Sequence, residues 1–416
     1  MNRKLQYIYN LFIAMIVSAL AVSCTDDELV KGGDKYEVVP DIPVALSLKI
    51  KVADQMEVQT RLAQSDETER TVNKLFVIAF KPSKQSDGAE NADASDDEWS
   101  VDNSAFYDTE DGLGNPIEVG KPQSVEFSMT TGLRRIYVVG NPQSGVGTLS
   151  DDELKNVKTI AALKALYSKL SDNLSVERVY FLMTGQAITK EKSEIVTVYK
   201  SGDHQGAIRE DYTMALNHVD ARITFNIIPA VGVTFEPEAY RVINIPGGTY
   251  LFSREKQNSG DNTWDYDGAG YAPSNRLSDF TEKDGKSIFE FYICENRQNP
   301  KQKISTESLL EEGTYYALRE KQEKKLITGT VEGQKYENGE YVYANAKSTY
   351  VELEGTITYK DDDGSEVYAK TTYTIHLGNT GNSNTADWLN DLELVNNYDT
   401  ERNTHYTYGD FYKLNP

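Results

Sequence analysis

The sequence predicts a mainly β protein with two domains and with one or two helices in the first domain. Three observations predict this fold class. Many short runs alternate apolar and polar residues, which is the pattern of strands that bury one face. The 416 residues include 27 tyrosines, which favour sheet faces over helix bundles. One segment, residues 150–170, carries the clearest helical pattern.

Composition narrows the class of protein. The chain is 39% hydrophobic and 26% charged, as in a globular protein with real cores. Its formal net charge is -22. Such an acidic surface repels phosphates, so nucleic acid and anionic lipid surfaces are not expected partners.

The first 23 residues have the features of an export signal. Arg3 and Lys4 give a positive start, and an apolar run follows from Leu11 to Val22. This run has about the length of a signal peptide and is too short to span a bilayer comfortably. We therefore expect residues 1–23 to be a signal peptide of an exported protein.

The signal ends in Ala-Val-Ser followed by Cys24, and small residues directly before a cysteine resemble the bacterial lipobox. We expect Cys24 to be lipidated and residues 24–41 to form a polar tether. The alternative is an ordinary signal peptide followed by a chance cysteine. Only one other cysteine exists, Cys294, so no intramolecular disulfide is expected, and Cys294 is expected to be a buried, inert thiol.

The first domain begins with a strand over residues 44–52, VALSLKIKV, whose apolar residues alternate with polar ones. A polar joint carrying Arg61 and Arg70 follows. Residues 75–80, LFVIAF, form a continuous apolar run, as in a central strand that is buried on both faces. The alternating apolar face of the first strand consists of Val44, Leu46, Leu48, Ile50 and Val52.

The rest of the first domain is expected to mix loop, helix and strands. Residues 81–122 form a long polar insertion that predicts a loop. A helix is expected over residues 150–170, where Ser150 and Glu153 match a capping box before an apolar stripe. Further strands are expected at 134–141, 179–186 and 194–200.

The second domain is expected to consist mostly of strands. A turn over Asp361–Gly364 predicts a hairpin between the last two long strands. We expect domain limits of 42–213 and 214–416. The strands are predicted at 221–229, 287–296, 348–360 and 368–378.

No motif predicts a catalytic, metal or cofactor site. The four histidines form no HExxH, and the chain contains no GxSxG, P-loop or GxGxxG motif. The acidic turn at Asp361–Gly364 lacks the spacing and the distal Glu of a calcium-binding EF-hand loop. We therefore expect no enzyme. The alternative is an active site assembled from distant residues, such as the paired carboxylates of a surface glycosidase.

Eight stretches along the chain are informative when taken together: AVSC at 21–24, TRLAQSDETERTVNKLFVIAF at 60–80, RRIYVVGN at 134–141, LNHVDARITFNI at 216–227, FYICEN at 291–296, STYVELEG at 348–355, YTIHLG at 373–378 and ERNTHY at 401–406. In this order they resemble the FimA/Mfa1-type fimbrial proteins of Bacteroidales, which are made as lipoprotein precursors. The last three of the eight stretches resemble the Mfa-like branch of the family.

The resemblance implies two β-sandwich-like (transthyretin-like) domains in an outer-membrane lipoprotein at the cell surface. It also implies assembly by strand exchange: an arginine-specific protease cuts after Arg61, with Arg70 as the alternative, and releases the strand at 44–52. The partners implied are other fimbrial subunits, outer-membrane lipid attached through Cys24, and host or bacterial surface ligands. No cofactor is implied.

Two alternatives limit these expectations. The joint with Arg61 can be an ordinary uncut loop, and the protein can be a surface lipoprotein that binds glycan or host protein without polymerising. The chain ends ten residues after Tyr406, and its last strand is too short to donate to a neighbour. Either the sequence is truncated there, or the subunit accepts a strand without donating one and sits at a fibre end as a tip or anchor.

Overall fold

The computed structural model describes residues 38–54, 56–58, 71–142, 149–169, 181–253, 270–298, 344–361, 363–379 and 396–409, with 320, 322–323, 330–331, 334–335 and 341–342 as short additions. The described residues from Pro40 onward belong to one compact unit. All the elements described below belong to the unit that begins at Pro40.

Strands make up most of the described chain, which confirms the predicted mainly β class. In the first half they are β1 Pro43–Val52, β2 Met56–Val58, β3 Lys74–Pro82, β4 Trp99–Asp108, β5 Gln123–Thr130, β6 Gly132–Gly140, β7 Tyr167–Lys169, β8 Met183–Thr189, β9 Val196–Lys200, β10 Gly206–Ile208 and β11 Tyr212–His218. In the second half they are β12 Asp220–Ile227, β13 Val233–Ile243, β14 Ile245–Pro246, β15 Gly248–Tyr250, β16 Tyr271–Ala272, β17 Thr281–Lys283, β18 Lys286–Cys294, β19 Gln322–Glu323, β20 Thr330–Val331, β21 Gln334–Lys335, β22 Tyr341–Val342, β23 Tyr350–Lys360, β24 Glu366–His376 and β25 Thr404–Tyr408.

The first sheet has nine strands and nearly closes on itself. Its main order is β10-β9-β6-β8-β11-β1-β5, and β3 pairs with both β6 and β4. β4 then lies beside β5, because three of its side chains bond to the β5 backbone. The inward side chains of β1, β3, β5, β6 and β11 form one apolar core inside this curved sheet.

Two short helices cover the outer face of β3 and β6. They are α1 Asp151–Lys155 and α2 Ile160–Ala165, so the prediction of one or two helices is confirmed. We call the apolar core inside the curved sheet the inner core, and the apolar core between the sheet and the two helices the helix-side core. Every side chain of Leu75–Phe80 is buried, because β3 contacts the inner core on one face and the helix-side core on the other.

A continuous helix over 150–170 is wrong. The capping box of Ser150 and Glu153 forms as predicted, but α1 ends at Lys155. The carbonyl of Lys158 then accepts a hydrogen bond from the backbone N of Val101, and Thr159 bridges to Ser100. This pairing with β4 requires extended backbone, so the helical pattern is interrupted before α2 begins.

The expectation that residues 81–122 are loop throughout is also wrong, because Trp99–Asp108 forms β4. This strand pairs with β3 along its full length, with one register shift between Ala79 and Phe80. Its polar residues hid the strand pattern in the sequence, and the pairing with the apolar β3 determines its conformation.

Two further sheets enclose another apolar core. One has the order β17-β18-β12-β25-β2, and the other has the order β13-β23-β24. Between them lies an apolar cluster rich in aromatic rings, in which Phe225 stacks on Phe289 and on Tyr408 with centroid distances of 4.8 Å for both. These two sheets form a β-sandwich, as predicted. Cys294 is buried, as expected.

The chain passes from the first sheet to the second at Val219, between β11 and β12. The domain limits of 42–213 and 214–416 stay predictions. The turn expected at Asp361–Gly364 forms: Gly364 has a φ of 85° and its backbone N donates to the carbonyl of Asp361 at 2.8 Å. Neither α1 nor α2, nor any other helical part of the described chain, is long and apolar enough to cross a membrane.

Candidate functional site: the first strand and its groove

The residues predicted to carry function are split between described and undescribed parts of the chain. Cys24, Arg61 and Arg70 lie outside the described residues, so lipidation and cleavage at these positions stay predictions. The predicted releasable strand is described in full as β1.

β1 is held strongly on one edge and weakly on the other. It pairs antiparallel with β5 through eight consecutive residue pairs, from Pro43 opposite Thr130 to Ile50 opposite Gln123. On its other edge, the ladder with β11 comprises two residue pairs, at Lys51 and Val52. β1 therefore has a neighbouring strand on each edge, and its main backbone partner is β5.

Further contacts on this weaker edge lie near the start of β1. The backbone N of Ala45 donates to the carbonyl of His204 at 2.9 Å, and Ala45 bridges to Gln205. Gly206 lies next to this bridge and packs against Val44.

The apolar face of β1 is a wall of the inner core. All five alternating side chains are buried, and the side chains between them are exposed or half-buried. Their neighbours in the core come from β3, β5, β6, β9 and β11. Without β1 these neighbours would line an open apolar groove. The buried residues are Val44, Leu46, Leu48, Ile50 and Val52.

The start of β1 is fixed by hydrogen bonds to the turn between β5 and β6. The backbone N of Asp41 donates to the carbonyl of Thr131 at 3.0 Å, and the backbone N of Ile42 donates to the Thr131 Oγ1 atom at 3.0 Å. The backbone N of Thr131 donates back to the carbonyl of Ile42 at 2.9 Å.

The side chain of Asp41 adds an ionic contact at the same place. Its carboxylate lies 2.7 Å from the Nζ atom of Lys84 and 3.0 Å from the Nζ atom of Lys81. The hydrogen bond from Lys84, followed by that from Lys81, lowers the pKa of Asp41 to about 2. The carboxylate is therefore charged at neutral pH and binds both ammonium groups.

After β1, the chain leaves the first sheet and enters the second. The backbone N of Ala53 donates to the carbonyl of Leu216 at 2.8 Å, and the Asn403 Nδ2 atom donates to the carbonyl of Asp54 at 3.1 Å. β2 then pairs parallel with β25, with Met56 opposite Thr404. The segment before the joint thus contributes a strand to each of two sheets.

The sequence did not predict this second strand. β2 has three residues, which is too short for a period to be recognised, and it is an edge strand beside β25. The one available signal was the position of MEV between the first strand and the polar joint.

A polar cleft of about 870 Å³ lies on the other side of β8 and β11 from the inner core. Two carboxylates and two cations line it, so its charges balance. Asp96 binds Lys164 at 2.9 Å, the Gln186 Nε2 atom donates to Glu194 at 3.1 Å, and Arg402 completes the charged lining. The remaining lining is mostly hydroxyl, amide and small apolar side chains, with Phe252 as the aromatic member.

Within the described ranges, no three histidine, cysteine or carboxylate side chains are grouped so that they could hold a metal ion. The chemistry available at β1 is therefore that of backbone pairing and apolar burial, and the chemistry available at the cleft is hydrogen bonding.

Comparison with known proteins gives one family match. Residues 44–222 match the family model of the major fimbrial subunit protein FimA. No curated protein matches the chain. The matched region begins at the first residue of the alternating face of β1 and ends within β12.

Three solved structures are similar to this chain at low identity. The tip fimbrial protein Mfa3 from Porphyromonas gingivalis, with C-terminal truncation, is 14% identical over 88% of this chain and 94% of that chain, with a TM-score of 0.45. A protein assigned to cell adhesion from Parabacteroides distasonis is 14% identical over 82% and 85%, with a TM-score of 0.39. A fimbrial protein from Bacteroides vulgatus is 10% identical over 81% and 88%, with a TM-score of 0.23.

Proposed function

Because residues 44–222 match the family model of the major fimbrial subunit protein FimA, we propose that this chain is a structural and adhesive subunit of a cell-surface fimbrium that assembles by strand exchange. A fimbrial family implies a location at the cell surface. In the proposed mechanism, proteolysis in the joint frees β1, and a strand of a neighbouring subunit takes its place. The observation that carries the proposal is the geometry of β1.

Another strand can take the place of β1, but loss of β1 without a replacement would strongly destabilise the fold. Burial of one Val, Leu or Ile side chain contributes about 1.5–3 kcal/mol, so the five buried side chains together contribute on the order of 10 kcal/mol. Its departure would also leave the inner backbone groups of β5 unpaired beside an apolar groove. An incoming strand with the same alternation satisfies both the apolar groove and the backbone groups. A one-residue slip would turn its apolar face to water, so the register is fixed.

The position of the joint supports cleavage as the trigger. A cut after Arg61 would leave β1 and β2 on one fragment and β3 on the other. It would also separate the groove from Cys24, so one cleavage would both free the subunit from its proposed lipid anchor and release the first strand. A cut after Arg70 would do the same, but it lies closer to Val72, which is buried in the core.

The experiment is limited digestion of the purified native chain with an arginine-specific protease, followed by sequencing of the new N-terminus. A cut after Arg61 gives a fragment that begins at Leu62, and the variant Arg61→Ala abolishes it. The matched variant Arg70→Ala leaves it unchanged. After cleavage, electron microscopy of the chain mixed with intact stalk subunits of a fimbrium should show it incorporated into fibres. A chain that stays intact, or that is cut only elsewhere, contradicts this mechanism.

The lipid anchor is a separate part of the proposal. Mass spectrometry of the chain purified from the cell surface should find acyl chains on Cys24 before cleavage, and the variant Cys24→Ser should lack them. An unmodified Cys24 in the uncleaved surface protein would contradict the lipoprotein assignment.

A second candidate function is capture of a glycan in the polar cleft. The balanced charges of the cleft disfavour strongly anionic or cationic ligands, and its hydroxyl, amide and carboxylate groups suit a neutral saccharide. Glycan-array binding by the intact monomer tests this candidate. Binding should fall in Gln186→Ala and stay unchanged in Gln85→Ala, which alters an exposed glutamine away from the cleft. An array with no signal above background would contradict it.

A further inference from the structure

β5 has two edges, and side chains rather than a strand complete the outer one. In an antiparallel ladder, the N–H and C=O groups of one residue point to the same side and those of the next residue point to the other. The β1 residues with even numbers pair opposite Val125, Phe127 and Met129. The backbone of Ala45, by contrast, points away from β5 to His204. The groups of Val125, Phe127 and Met129 therefore face β1.

The intervening residues of β5 face β4. The Tyr107 hydroxyl donates to the carbonyl of Glu126 at 2.7 Å, and the Asn103 Nδ2 atom donates to the carbonyl of Ser128 at 2.7 Å. We call Asp102, Asn103 and Tyr107 the seam.

Asp102 forms the third bond of the seam. Its carboxylate accepts hydrogen bonds from the backbone N and the Oγ1 atom of Thr130, both at 2.7 Å. Three side chains of one strand thus satisfy three successive outward positions of β5.

Buried contacts hold the seam itself in place. The Arg134 Nε atom donates to Asp102 at 3.2 Å, and the Arg134 Nη1 atom donates to Glu90 at 2.9 Å. Arg134 is fully buried. At the other end, burial raises the pKa of Tyr107 to about 12, so its hydroxyl keeps the proton that it donates. The ring of Tyr107 also packs closely on Gly112.

We propose that the seam holds β5 in its native position when β1 is absent, so that β5 is a preformed template for an incoming strand. This inference rests on the proposed strand exchange for its use, but the position of β5 can be measured without it. The partner that fits is a strand antiparallel to β5, with apolar side chains opposite Val125, Phe127 and Met129. A template that is already ordered binds more tightly, because the incoming strand need not order it.

The test uses the full-length chain with Cys24→Ser, in which Leu46→Asp and Leu48→Asp prevent β1 from occupying the core. Spin labels on Asp108→Cys and Glu126→Cys report the distance between β4 and β5 by pulsed electron resonance. With the seam intact we expect one narrow distance distribution, as in the chain with native β1.

Adding Asn103→Ala and Tyr107→Phe to the β1-disabled chain should broaden that distribution. The control is Tyr368→Phe, which removes the hydroxyl of an exposed tyrosine on β24. The inference would be overturned if the distribution of the β1-disabled chain were narrow both with and without the seam side chains, or broad both with and without them. If the double aspartate variant does not fold, Gly206→Val displaces β1 more mildly at Val44 and gives the same comparison.

A second measurement separates this inference from the proposed function. A fluorescent peptide of residues 40–58 is added to the β1-disabled chain, and its binding is followed by anisotropy. Loss of the two seam side chains should weaken binding on the order of tenfold, since each net hydrogen bond changes affinity several-fold. If the β1-disabled chain has a narrow distance distribution but binds no peptide, the proposed strand exchange is contradicted. The inference that the seam holds β5 in place would still stand. Equal binding with and without the seam side chains would overturn the seam as a template.

Discussion

Gly206 and Val44 lie closer together than any side chain at position 206 would allow. A Cβ atom built on Gly206 would lie 2.6 Å from the Val44 Cγ2 atom and 3.1 Å from its Cβ atom. Val44 is the first buried residue of β1, and Gly206 is the first residue of β10. The weak edge of β1 is therefore closed by a glycine that lets a branched side chain sit directly against the backbone.

Gly206→Ala should loosen β1. The added methyl group overlaps Val44, whose branched side chain has little freedom to rotate away. Overpacking of this kind costs about 1–3 kcal/mol, which urea unfolding measures. Hydrogen exchange of the β1 amides should also become faster.

Gly202→Ala is the matched control for this prediction. A Cβ atom at position 202 would lie 3.6 Å from the Gln205 Oε1 atom, an ordinary contact distance. Gly202→Ala should therefore leave the β1 amides unchanged. Equal exchange rates in both variants would mean that Gly206 has no special role at β1.

The buried face of β1 should dominate its stability. Leu48 is fully buried, and Leu48→Ala should lower the free energy of unfolding by about 2–5 kcal/mol through lost burial and the cavity that remains. Lys49→Ala changes the next side chain, which is exposed, and should cost less than about 0.5 kcal/mol. Urea unfolding monitored by circular dichroism gives both values. A similar loss in the two variants would contradict the assignment of the strand's inner face.

Much of this site could be predicted from the sequence, because alternation and continuous apolar runs determine strands locally. The five apolar residues at 44–52 and the run at 75–80 needed no information from elsewhere in the chain. β4 could not be predicted in the same way. Asp102 and Asn103 interrupt its apolar pattern, and they are polar because they bond to β5. Asp102 and Asn103, which bond to β5, are thus the residues that made β4 look like a loop in the sequence.

β2 could not be predicted for a different reason. Three residues have no measurable period, and their conformation comes from pairing with β25, which lies far away in the sequence. The prediction of a helix over 150–170 was wrong because of long-range pairing too, since the pairing of Lys158 and Thr159 with β4 overrides a good local helical pattern. Local patterns determined the strands that bury side chains, and long-range pairing determined the rest.

The ionic contact at the start of β1 should be lost in acid. The pKa of Asp41 is lowered to about 2 in the folded chain, below the ordinary value of 3.8. A lowered pKa contributes stability that is present above the ordinary value and disappears as the pH falls towards 2. Because the carboxylate and both ammonium groups are partly exposed, Asp41→Asn should cost less than about 1 kcal/mol at pH 7.

Urea unfolding at pH 7 and at pH 2 checks this prediction. The difference between the native chain and Asp41→Asn should be present at pH 7, shrink in 1 M salt and be largely lost at pH 2. Asp93→Asn, which alters an exposed aspartate, should show no such dependence. A difference that persists unchanged at pH 2 would show that the carboxylate's charge is not what holds the strand.

Asn141 should keep the chain after the joint in place once the joint is cut. Its Nδ2 atom donates to the carbonyls of Thr71 at 2.9 Å and Phe181 at 3.0 Å, and its Oδ1 atom accepts from the backbone N of Asn73 at 3.0 Å. Asn141→Asp keeps the acceptor but removes both donors and adds a charge at a buried position, so it should cost about 3 kcal/mol or more.

The variant's effect should be concentrated at the start of β3. Hydrogen exchange of residues 72–76 should become faster in Asn141→Asp, while exchange in β23 of the β-sandwich stays the same. Asn103→Asp, an amide-to-carboxylate change at a more exposed position, is the matched control and should leave residues 72–76 protected. If both variants lose protection equally at 72–76, Asn141 does not anchor this segment, and β3 must be held by its ladders with β4 and β6 alone.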